Sequence, residues 1–219
     1  MFKLALVVSA ALALSAAQAG TYFDKLNSTQ QDQVLTQGKQ LVISKDASGP
    51  WPELTIYQWT GSAPEQVCGV FADFDIQKDY IADMTKSTAR KVSQNTYEVE
   101  YVIKVPILSD EVYSMNDVLT SYDNGSGYKI TWNLVKATRT KTSTGYFACE
   151  PVSGGTFIAY NNYVDPGING FVARRLYDTA MAKVKDTPYT ILKQLKKELT
   201  SNPAQLDKQI ELLKAAVAK

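Results

Sequence analysis

The sequence has no histidine, only two cysteines and almost no net charge, with 23 Lys and Arg against 22 Asp and Glu. Lack of histidine removes the most used general base near neutral pH, the usual catalytic triads and the commonest transition-metal ligand. A zinc site would need both cysteines and carboxylates, so neither a metal site nor a cofactor is expected. The charge balance lacks the basic excess with which nucleic-acid binders neutralise phosphates, so no nucleic-acid partner is expected. Phosphate-cradling glycine loops are missing as well, because Gly145 is isolated and Gly154-Gly155 reads as a hairpin turn. Long apolar runs are confined to the first residues.

That first run has the three parts of an export signal. Lys3 gives the positive end, Leu4 to Leu14 is apolar or small throughout, and Ala17-Gln18-Ala19 fits a small-x-small cleavage site before Gly20. The run is shorter than the roughly 20 apolar residues of a membrane span, and no cysteine follows the site to carry a lipid. The expectation is a signal peptide over 1–19, cleaved after Ala19, and a periplasmic or secreted protein. Without Lys3 the Lys and Arg number 22, equal to the Asp and Glu. About 200 residues then remain, enough for one domain with a sizeable core.

In an oxidising compartment Cys68 and Cys149 have one intramolecular pairing open to them, a bridge across a separation of 81 residues. The alternative is two buried thiols acting as small apolar residues. We expect the bridge.

Residues 20–52 read as an N-terminal extension, a Gln-rich helix capped by Asp24 or Asn27 and ended by Gly38, followed by a loop rich in breakers. Leu54 to Trp59 alternates as a first strand. Ser62, Pro64 and Glu65 then mark a helix start, and a second short helix is expected over Ile76 to Met84. From there the pattern has period two for nearly eighty residues. Tyr97, Val99, Tyr101, Ile103 and Val105 alternate with Glu98, Glu100, Val102 and Lys104. Further strands follow from Glu111 to Tyr122, through Tyr128 to Leu134, around Phe147 and Cys149, and from Thr156 to Val164. A long helix carries Val172, Leu176, Ala180 and Val184, continued by Ile191, Leu192, Leu195 and Leu199. Over 201–219 a last amphipathic helix presents Leu206, Ile210, Leu213 and Val217. No internal repeat is present.

Strand, two short helices, a run of antiparallel strands and one long helix is an order that resembles the START-like, or birch-pollen-allergen-like, superfamily (SRPBCC). The likeness spans about Leu54 to Leu199. Ser62-Ala-Pro-Glu-Gln-Val67 and Phe71-Ala-Asp-Phe74 are similar to the first helix of bacterial members, Thr131-Trp-Asn-Leu134 to the central strand, and Gly155-Thr156 through Tyr160 to the last strand. The resemblance implies an α+β helix-grip fold over 53–200, a curved antiparallel sheet of about seven strands around the long C-terminal helix, with extra helices at both ends. It also implies an internal apolar cavity for a lipid, sterol, quinone or similar molecule.

Strand parity and helix period together nominate the cavity wall. Tyr97, Tyr101 and Ile103 share one strand face, Tyr113 and Met115 the next, and Ile130, Trp132 and Leu134 another. Phe147, Ile158 and Tyr160 complete the sheet side, and Val172, Leu176 and Ala180 the helix side. Each aromatic among them could equally be core packing, since aromatics favour strands. Glu98 and Glu100 fall on the opposite, solvated face. Arg174-Arg175 suits either an acidic headgroup at the cavity mouth or an ordinary wet helix face.

The leading expectation is a non-catalytic carrier or sensor of a hydrophobic small molecule, with transient membrane contact and an open oligomeric state. A polyketide cyclase or dehydratase-like enzyme is the first alternative, favoured by an inward carboxylate hydrogen-bonded to a tyrosine. The second is an interaction domain with a vestigial pocket, using the apolar face of the last helix.

Overall fold

Between Leu41 and Asp165 the chain forms eight strands: β1 Leu41–Lys45, β2 Glu53–Thr60, β3 Met84–Lys91, β4 Thr96–Ile103, β5 Glu111–Tyr122, β6 Gly127–Ala137, β7 Thr142–Val152 and β8 Gly155–Asp165. The helices are α1 Ser28–Leu35, α2 Pro64–Ala72, α3 Gly170–Ser201 and α4 Pro203–Val217. The computed structural model describes residues 22–218, so the expected leader over 1–19 lies outside the described residues. All strand pairs are antiparallel, in one open curved sheet of order β1-β2-β8-β7-β6-β5-β4-β3. The class is α+β, with the long C-terminal helix set against the sheet as in the helix-grip fold.

The two strands beyond the expected ones, β1 and β3, are the sheet's edges. Of β3 only Met84 and Ser87 are buried, so its sequence carries no apolar alternation. The expected second helix is instead a 3-10 turn, Phe74–Asp79, whose buried residues are Phe74 and Gln77. It ends at Tyr80, whose φ of −134° leaves helical geometry, and Asp83, at a positive φ of 62°, precedes β3. In α1, Asn27 and Gln30 cap each other reciprocally, at 3.0 Å for both bonds. At α2 the cap falls on Ala63 rather than Ser62: the Gln66 side chain accepts from the Ala63 N–H, while the Ser62 carbonyl accepts from Thr156 Oγ1 at 2.7 Å.

Alternation along β4 buries Val99 and Tyr101 and turns Glu98 and Glu100 outward, where they pair with Arg90 and Lys86. A bulge opposite Ser114 and Met115 leaves Val135 unpaired and exposed. After it, Leu134 pairs with Met115, Trp132 with Asp117 and Ile130 with Leu119. One concave face thus gathers residues from both strands.

Helix α3 runs as a single element through Pro188, burying Leu176, Ile191 and Leu195. Leu199, expected on the same face, is instead exposed, while Leu195 and Glu198 take the buried positions of that stretch. Helix α4 folds back on α2, where Gly69 lets the backbones meet and the Gln205 and Gln209 amides both donate to Asp73. Leu206 and Leu213 are therefore buried in the chain's own core. The disulfide between Cys68 on α2 and Cys149 on β7 is formed, with both residues fully buried.

The convex face is covered too. Tyr22, Leu26 and Val34 of the N-terminal segment bury Tyr57, Ala148, Phe157 and Ala159. Tyr57 and Phe157 stack at 5.5 Å, and the Tyr22 N–H donates to buried Glu150 at 2.7 Å.

Candidate functional site

The concave face divides in two. Under α2 and α4 it is solid core, where Phe147 stacks on Phe71 at 4.5 Å and Ile130 and Ile158 are fully buried. Under the first half of α3 it stays open, leaving a cavity of about 300 Å³. Of the residues nominated from sequence, Tyr101, Ile103, Tyr113, Met115, Trp132, Tyr160, Leu176 and Ala180 border this cavity. Ile130, Phe147 and Ile158 lie in the solid half instead, because α2 covers them. Tyr97 packs on Phe74, Leu134 lies against the main core, and Val172 joins the cluster around Trp51 and Leu176. Arg174 and Arg175 are exposed and do not border the cavity.

Trp132 owes its place to a glycine. Gly145 faces it across the β6–β7 pair, and a Cβ there would stand 2.4 Å from the indole Cζ2 and 2.2 Å from the Asn161 carbonyl oxygen. The indole can lie over that strand and meet Tyr160 at 5.8 Å and Phe71 at 6.0 Å. Gly145→Ala is expected to displace the indole and cost about 1–3 kcal/mol through overpacking. Urea midpoints check the cost, and a change below measurement error would contradict this account.

Polar groups enter the wall at both ends. Near one end the Glu111 carboxylate accepts from the Arg139 and Thr140 N–H groups at 2.8 and 2.9 Å and lies 3.0 Å from the Arg139 guanidinium. Gly167, at φ 68°, passes so close to the Arg139 carbonyl that only glycine fits. Asp83 and Lys183 pair across the opening. The loop over 104–108 forms one lip, with Val105, Pro106 and Leu108 inward and Ile107 64% exposed.

Farther in stands Asp117, in register with Tyr97 on β4 and Trp132 on β6. It is 3% exposed, and its Oδ2 has no hydrogen-bond partner among the described residues. Burial pushes its pKa up to about 8. Burial also raises the Tyr101, Tyr113 and Tyr160 hydroxyls above the ordinary phenol range. No described tyrosine hydrogen-bonds to the Asp117 carboxyl, the arrangement that would have favoured a cyclase.

Sequence reasoning passed over Asp117 although parity points to it, two residues beyond Met115 on the same face. Glu111 follows the same parity. Trp51 and Gln77 reach the wall from segments with no strand signal. Among the described residues no group of three or more His, Cys, Asp or Glu is placed to hold a metal, and no helix is long and apolar enough to cross a membrane.

The fold is that of the START-like superfamily. It aligns with a STAR-related lipid transfer protein from Xanthomonas axonopodis at TM-score 0.59 and 17% identity, covering 73% of this chain and 93% of that one. Human StAR-related lipid transfer protein 5 aligns at TM-score 0.57 and 12% identity, over 78% of this chain and 92% of that one. An aromatase/cyclase from a Streptomyces species aligns more distantly, at TM-score 0.44 and 14% identity over 81% of this chain and 98% of that one. No protein-family model and no curated protein matches the sequence.

Proposed function

We propose that this protein binds and carries a hydrophobic small molecule in the cavity beneath α3, outside the cytoplasm once residues 1–19 have been removed. The observation that carries the reading is the cavity itself, about 300 Å³ walled mainly by apolar and aromatic side chains. Solved structures of the same fold include proteins described as lipid transfer proteins, which supports a lipid-like ligand. Exposed Ile107 in the lip loop and exposed Phe171 at the start of α3 support transient contact with a membrane during exchange. A binding role is favoured over an interaction domain because, of the four apolar residues a partner would use, Leu206 and Leu213 are buried and Ile210 and Val217 are partly buried against the chain's own core.

Ala180 tests the reading, since its small side chain borders the cavity from α3. Ala180→Trp is expected to fill the space at a cost of about 1–3 kcal/mol. Native mass spectrometry of the purified protein should then lack the co-purified hydrophobic ligand expected with the wild type. Glu98→Gln, on the outer face, should leave binding unchanged. Full ligand occupancy in a folded Ala180→Trp protein would overturn the proposal.

A further inference from the structure

The inner part of the cavity contains a polar group that an all-hydrocarbon ligand would not use. Asp117 lies six residues along β5 from Glu111, about 20 Å at strand rise, on the same side of the sheet. Its Oδ2 is buried without a partner. A buried polar atom left unpaired costs about 1–3 kcal/mol, and such atoms in native structures call for a reason. Arg139 and Lys183, cations of the cavity wall, do not supply one, because Arg139 stands at the Glu111 end, held by Glu111 and Ser109, and Lys183 is paired with Asp83.

We propose, on the reading of the cavity as a ligand site, that the ligand's inner end bears an uncharged oxygen function, a hydroxyl or carbonyl, which hydrogen-bonds to the side chain of Asp117. A carboxylate ligand would bring an uncompensated charge into a buried place, with the wall cations Arg139 and Lys183 already paired. An ammonium would either stay an unpaired buried charge beside protonated Asp117 or draw the proton off it, and two charges buried together are repaid by their attraction only with further hydrogen bonds around them. A neutral oxygen asks for neither. Burial that keeps the proton on Asp117 at pH 7 leaves it both a donor and an acceptor, matched to such a group. Tyr101, whose hydroxyl is held above the ordinary phenol range by burial first and by Asp117 second, lines the same cavity. Asp117 is thus a specificity residue: the apolar wall sets how much ligand fits, and this carboxyl sets which end goes in first.

Titration calorimetry with decanol, decanoate and decylamine tests the assignment on delipidated full-length mature protein. Wild type should bind decanol at least about tenfold tighter than either charged compound. Asp117→Leu should lose about tenfold in decanol affinity, whereas Asp117→Asn, which still donates and accepts, should stay within about threefold of wild type. Thermal melts establish that both variants fold. The proposal falls if decylamine binds wild type most tightly and is lost in Asp117→Asn, which would mean a cationic ligand. It falls also if Asp117→Leu binds decanol as well as wild type does. In that second case, loss of decanol from Ala180→Trp would leave the cavity reading standing. Failure of all three compounds to bind wild type would sink the cavity reading together with this one.

Discussion

Replacing Cys68 and Cys149 together by alanine is expected to lower the stability of the folded protein by roughly 4 kcal/mol, the chain-entropy value for a closed loop of this size. The bridge joins α2 to the centre of the sheet across 81 residues of sequence. That loop contains β3, β4, β5 and β6, so reduction releases half the sheet from the helix that closes the solid side of its concave face. Both cysteines are fully buried, and alanine adds a small loss of packed volume to the lost constraint. For a chain of this size the urea midpoint should fall by about 2 M. Wild type with a strong reductant should approach the same value. A shift below about 0.5 M in both measurements would mean that the bridge does not constrain the unfolded chain.

Comparably large is the effect expected of pH through Asp117. In the unfolded chain this carboxyl loses its proton near pH 3.9, while in the folded protein burial holds the proton up to about pH 8. Between these values the folded state keeps a proton that the unfolded state has released. Stability is therefore greatest below the lower value and declines as pH rises, by up to about 1.4 kcal/mol per pH unit, levelling off above the higher one. Asp117→Asn carries no charge at any of these pH values. It should match wild type near pH 4 and exceed it by several kcal/mol at pH 9, on the order of the full linkage. Glu150, also raised by burial, contributes in the same direction but is present in both proteins and cancels in the difference. Parallel stability curves from pH 5 to 9 would show that the folded protein keeps Asp117 ionised.

The strand faces were legible because a sheet with one buried side writes its parity into the sequence. Tyr101, Met115, Trp132 and Tyr160 all follow it. Which part of that face stays open was not legible, since it depends on how far α2 and α4 reach across the sheet. Phe147 and Ile158 carry the same signal as Tyr160, yet a helix covers them. Asp117 was legible in position and illegible in meaning. A carboxylate between apolar residues reads as a solvated position until its neighbours are known to be rings. The cap at Ala63 shows a related limit: Ser62 was the better sequence cap, but Thr156, 94 residues away, uses its carbonyl.

Edge strand β3 escaped notice for a physical reason, since an edge strand pairs on one side only and can be almost wholly polar; β1, Leu41–Lys45, is too short to show an alternation of its own. Their composition has a bearing on self-association. An open sheet offers unpaired backbone groups at each border, and a second copy could add itself there. On β3 that approach would bring Lys86, Arg90 and Lys91 against the same three cations of the incoming strand. The other border carries fewer charges, because β1 displays Ile43 with its one charge at Lys45. Any strand-to-strand clustering at high concentration should begin at β1, and a lysine in place of Ile43 would give that border the guard that β3 already has.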